Sequence, residues 1–141
     1  MNKHLSRPKT DYILLIAVLF QGLSGILGGI GLIIDPSGSM LNIPIEWLQD
    51  SPFNSYLLPG IILFTVLGVF PIIVFLWLLK KNSKGWVGSI MLGIALLIWI
   101  LTEILIIGYQ SDPPLQLIYG ILGILILITS FTPMEKRFYH S

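Results

Sequence analysis

One acid marks the place in this chain where chemistry could reside. Glu103 lies within residues 86–109, a run that carries no other ionisable side chain apart from the terminal Tyr109. A carboxyl group held in an apolar setting without a cation must be hydrogen-bonded by neutral donors or carry a proton part of the time. Either property suits a ligand site or a proton-coupled carrier. At about 100° per residue, Trp99, Thr102, Glu103, Ile106 and Gln110 fall on one stripe of a helix. Gln116 and Tyr119 share a face of the next apolar segment with Gly120 and Gly123, at i, i+3, i+4 and i+7. Glu103, Trp99, Gln116, Tyr119 and Ser24 are therefore candidates to surround one pocket. Gln21 belongs nearer the middle of the helices, close to Thr65. The competing expectation is structural: Glu103 bonds to Gln116 or Tyr119 and pins helix ends together.

The elements that must position these residues follow from composition. Of 141 residues, 55% are hydrophobic and 11% charged, against about one quarter charged in a soluble domain. A chain this short cannot bury so much apolar surface in itself, so a bilayer must do it. The expected fold is all-α: a single domain of four membrane spans forming a bundle, at about residues 12–34, 53–79, 85–109 and 113–130. The first span follows a basic tail, but it is longer than a signal-peptide core and lacks an Ala-x-Ala cleavage pattern, so it reads as an uncleaved anchor.

Turn chemistry separates the spans. Asp35-Pro36-Ser37-Gly38 ends the first. In the long loop that follows, residues 43–49 read as a short amphipathic helix with proline in its first turn, either resting in the membrane interface or capping the bundle. Ser51-Pro52 is a start signal for the second span. Pro71 lies inside that span and leaves the Leu67 carbonyl without its helical donor, which predicts a bend. Ser111 or Asp112 caps the fourth span with Pro113 behind it. Residues 135–141 read as a basic tail.

Small residues mark where helices approach closely. Gly25 and Gly29 form one seam, and Gly85, Ser89 and Gly93 another. Each is open to a helix of the same chain or to a second copy in a homodimer. The eight Lys and Arg residues fall in the N-terminal tail, the 80–84 turn and the C-terminal tail. The other two loops carry only the acids Asp35, Glu46, Asp50 and Asp112. The positive-inside rule then places both termini in the cytoplasm. In that orientation Glu103 is about 26 Å along its helix from the cytoplasmic end, while Gln116 and Tyr119 are about 6 Å and 10 Å in from the outside.

The absences also bear on function. There is no cysteine, and both histidines, His4 and His140, are in the tails. Thiolate metal sites, redox disulfides and an intramembrane bis-histidine haem do not fit. No cofactor, metal or nucleic-acid partner is expected. No Ser-His-Asp set or phosphate loop is present, and a lone Glu with Tyr119 lacks the second convergent group an enzyme needs.

With Asp35-Pro36-Ser37-Gly38, the segment 51–60 and the Glu103…Gln116 pair in view, the chain resembles small uncharacterised bacterial four-span membrane proteins. Its overall plan is similar to that of DoxX-like proteins in topology only. Its size and plan also resemble small multidrug-resistance transporters, but those carry their essential Glu in the first span, where this chain has Gln21 and Ser24. The resemblance implies a bacterial cytoplasmic membrane. The expected function is non-enzymatic binding of a lipid, small apolar ligand or partner membrane protein in an outward-facing pocket near Glu103. The alternative is a small homodimeric carrier with Glu103 as its coupling acid.

Overall fold

The computed structural model describes residues 6–49, 51–110 and 114–140. The described residues are helical with no strand. Five α-helices follow in order: α1 (Lys9–Ile34), α2 (Leu57–Leu79), α3 (Ser83–Ile107), α4 (Leu115–Ser130) and α5 (Pro133–His140). The helices α1, α2 and α3 are each long and apolar enough to cross a membrane, and α4 joins them if it is counted with α5, from which it is bent by 60°. Leu105, Leu27 and Ile16 are 78%, 71% and 69% exposed. Apolar side chains this open around a bundle need a partner other than water.

The four long helices form a ring. α1 packs on α2 and α4, and α3 packs on the same two, while the diagonal pairs make little contact. Small residues set the closeness of the first pair. A Cβ at Gly25 would overlap the Leu67 carbonyl and stand 2.8 Å from the Gly68 nitrogen. Gly29 lies against the Phe64 backbone at 2.7 Å on the same measure. The Gly25/Gly29 seam is thus occupied by α2 of the same chain. The second seam is divided between two helices of the chain. Gly85 meets α2 at Leu78, Ser89 Oγ lies 2.8 Å from Ser130 Oγ, and Gly93 meets Leu127 of α4. Both stripes offered above as dimer interfaces are therefore filled internally.

Helix ends differ from the sequence expectation where side chains capture the backbone. Tyr56 N–H donates to the Pro36 carbonyl at 2.8 Å and its hydroxyl to Pro44 at 2.6 Å. Those bonds hold residues 53–56 in the loop, so α2 begins at Leu57 instead of 53. The Asn82 side chain accepts from Lys84 N–H at 2.9 Å and starts α3 at Ser83. Gly108 ends that helix at φ +76, a conformation in which a Cβ would be strained. The expected cap at Ser111 or Asp112 and Pro113 lies outside the described residues, as does Asp50. The loop helix is a single 3₁₀ turn, Ile45–Leu48, with Leu48 packed on Leu32 and Tyr56. It caps the bundle.

Within α2 the expected disturbance before Pro71 is present, but the helix runs on through it as one span. Residues Thr65–Val69 form a π turn, with Phe70 N–H donating to the Thr65 carbonyl. Proline removes one ladder donor, and a wider turn is one way to absorb the loss without a sharp kink. Thr65 Oγ1 donates back to the Ile61 carbonyl at 2.8 Å.

α5 falls where the sequence reads as a basic tail. Its start signal is Thr132-Pro133-Met134-Glu135, with Thr132 Oγ1 accepting from Glu135 N–H at 3.3 Å. The helix folds back so that Tyr139 reaches Asp11 of α1 and His140 meets the edge of Trp86 of α3. The three basic stretches consequently meet at one end of the bundle, hereafter the basic end. The loop 35–56 covers the other.

Candidate functional site

The two halves of the ring are packed differently. Toward the basic end, Leu14, Val18, Val74, Leu78, Leu92 and Ile126 are buried in one close cluster. Toward the loop end, the ring holds a partly open cavity of about 630 Å³. Leu41, Ile43, Trp47, Phe53 and Tyr56 of the loop face it, with Pro59, Ile62 and Leu63 below them.

All six residues singled out from the sequence line this cavity: Glu103, Trp99, Gln116, Tyr119, Ser24 and Gln21. They reach it from three helices. α1 presents Gln21 and Ser24 one turn apart, α3 presents Trp99 and Glu103, and α4 presents Gln116 and Tyr119. Tyr119 also stacks on Phe20 with ring centroids 6.0 Å apart.

The bonding among them reaches beyond the expected pin. Gln116 is buried, but its amide serves the α3–α4 connection. Its oxygen accepts from Gln110 N–H at 2.7 Å and its nitrogen donates to the Gly108 carbonyl at 3.3 Å. The end of α3 leaves backbone groups without helical partners, and Gln116 satisfies one donor and one acceptor there. The Trp99 and Gln116 side chains do lie next to Glu103. Both are placed to donate to the carboxyl group, and Gln116 also serves the backbone at Gln110 and Gly108. Glu103 has no ion pair among the described residues; the pair found there is Arg7–Asp11. The carboxyl group therefore borders the cavity with neutral donors beside it and no cation among the described residues.

Gln21 behaves in the opposite way. It is 2% exposed, and its Nε2 donates to the Leu67 carbonyl at 3.0 Å. This is the carbonyl that Pro71 leaves free. The Gln21 Oε1 atom, also buried, has no partner.

A second polar cluster was not foreseen from the sequence. At the basic end, Arg7 pairs with Asp11, and Tyr139 Oη donates to Asp11 Oδ1 at 2.7 Å. Arg7 also donates to the Leu78 and Leu79 carbonyls at 3.2 Å each, closing the end of α2. Glu135 is fully buried and accepts from Thr10 Oγ1 at 2.9 Å, while its other oxygen has no partner. Burial, followed by the neighbouring Asp11 carboxylate, pushes the Glu135 carboxyl up to about 8. Burial also raises the Tyr139 phenol, again with Asp11 adding to the shift. The i,i+4 spacing of Arg7 and Asp11 was a legible signal. The third and fourth members come from the far end of the chain.

No group of His, Cys, Asp and Glu suited to a metal is present among the described residues. No family model, curated protein or solved structure matches the chain.

Proposed function

We propose that this chain is a four-span protein of a bacterial cytoplasmic membrane, with both termini inside, that binds a lipid or small apolar molecule in the cavity beside Glu103. In this reading α4 alone is the fourth span, and α5 lies across the cytoplasmic end. The orientation rests on the convergence of Arg7, Lys80, Lys81, Lys84, Lys136 and Arg137 at the basic end, because positive loops stay in the cytoplasm. The cavity then opens toward the outside, under a loop that carries acids and no bases.

The observation that carries the reading is the cavity itself. Its walls are almost wholly apolar, with a few polar groups converging on it, which is the usual make-up of a small-molecule site. The packed cluster at the basic end closes the ring below Gln21. That supports retention of a ligand over passage through the bundle, and so favours binding over the carrier alternative.

Glu103→Gln tests the role of the acid. If the site serves a ligand, the variant assembles with unchanged thermal stability and retains a different amount of bound small molecule. If Glu103 only ties helix ends together, the variant loses stability and its bound molecules are unaffected.

A further inference from the structure

One carboxylate lines the cavity, and no cation answers it among the described residues. Gln21 lines the inner end of the cavity, its amide nitrogen is committed to Leu67, and its Oε1 is buried without a partner. Glu103 lines the outer part, beside the Trp99 and Gln116 side chains. The hydroxyls of Ser24 and Tyr119 rotate and serve either way. At 1.5 Å per residue, Glu103 is about 6 Å from the loop end of α3 and Gln21 about 20 Å from that of α1, so the two acceptors are separated by about 14 Å of apolar wall.

The charge has one sign. No Lys, Arg or His among the described residues lines the cavity. Residues 35–56 above it contain acids and no base. The Tyr56 phenol, which faces the mouth, is pushed up to about 12, first by burial and then by the negative charges of Glu103 and Glu46. A low-dielectric cleft carrying one sign of charge concentrates the opposite sign. Trp47, Trp99, Tyr56 and Tyr119 add ring faces that attract a cation once it is desolvated. An anionic headgroup, by contrast, would bring like charge to Glu103.

We propose that the occupant of this cavity is a cationic amphiphile, with an alkylammonium head set against Glu103 near Trp99 and Tyr56 and an apolar tail running toward Gln21. This rests on the reading of the cavity as a ligand site, and adds to it the class of ligand.

The test uses the full-length chain in lipid nanodiscs. Dodecylamine, dodecanol and dodecanoate, which share one tail, are titrated and counted by native mass spectrometry at neutral pH. Gly28→Leu serves as the obstructed cavity, because a Cβ there meets only the flexible end of Leu63. The expected result is dodecylamine binding about tenfold or more tighter than dodecanol, with dodecanoate weakest, as an ion pair in a dry cleft requires. Glu103→Gln removes the preference for the amine and leaves dodecanol within about threefold of its former affinity. Gly28→Leu abolishes binding of all three. If dodecanol or dodecanoate binds as tightly as the amine, and Gly28→Leu still abolishes binding, the cavity is a ligand site but the cationic class is wrong. If no probe binds in a way that Gly28→Leu removes, the ligand site falls and the class with it.

Discussion

The Gln21 side chain donates to the Leu67 carbonyl at 3.0 Å, the one carbonyl in α2 that Pro71 deprives of its helical donor. A proline on one helix is thus answered by a glutamine on another, at the point where Gly25 lets the two backbones touch. Removing the amide orphans a buried acceptor, which costs about 1–3 kcal/mol. Gln21→Leu should therefore destabilise the bundle by that amount. In a Pro71→Ala background a backbone N–H becomes available and the loss should shrink, giving a coupling of about 0.5 kcal/mol or more. Thermal unfolding of the two single variants and the double variant in detergent measures it. Equal losses in both backgrounds would contradict the link.

The α1–α2 contact also sets an expectation for glycine. Gly25→Ala places a methyl group on the Leu67 carbonyl, backbone against backbone, and should cost about 2–3 kcal/mol. Gly120→Ala is the matched control, since its Cβ would stand 3.9 Å from the nearest atom, Ile100 Cγ2. In a helix interior that change should be neutral or stabilise by about 0.5–1 kcal/mol. The same melting assay reads both.

The basic end should make stability depend on pH. Folded Glu135 holds its proton up to about pH 8, whereas the unfolded chain releases it near the ordinary glutamate value. Between those values the folded state binds more protons, so stability falls as pH rises and levels off above about 8. Glu135→Gln keeps an oxygen for Thr10 and an N–H to offer Asp11. It should flatten the fall. Melting temperatures collected from pH 5 to pH 9 test this, and a profile as steep in the variant as in the parent would exclude Glu135 as its source.

The orientation is open to direct test. A reporter fused after Ser37 should be active only outside the cytoplasm, and one fused at the C-terminus only inside. A cytoplasmic signal from the Ser37 fusion would invert the bundle and turn the cavity inward.

The limits of the sequence are visible in particular residues. The free Leu67 carbonyl was legible because proline lacks an N–H. Its partner was not, because the register between two helices depends on which glycines meet. The apolar run lengths announced α1, α2 and α3, and the glycine and serine spacings announced their seams, though not that the chain would fill those seams itself. α5 carried a start signal at Thr132 and Glu135, masked by its basic composition. The Arg7–Asp11–Tyr139–Glu135 cluster unites both chain ends, so local pattern could not disclose it. At the site, helix periodicity placed Glu103, Trp99, Gln116, Tyr119, Ser24 and Gln21 on the correct faces. It did not anticipate that Gln116 would also bind the backbone of the 108–110 connection.

The central claim is that the cavity beside Glu103 holds a small molecule. Native mass spectrometry of the chain released from its own lipid tests it most directly. The parent protein should carry a bound small molecule, and Gly28→Leu, folded and melting as the parent does, should not. A bare parent protein, or a Gly28→Leu variant carrying the same mass, would contradict the account.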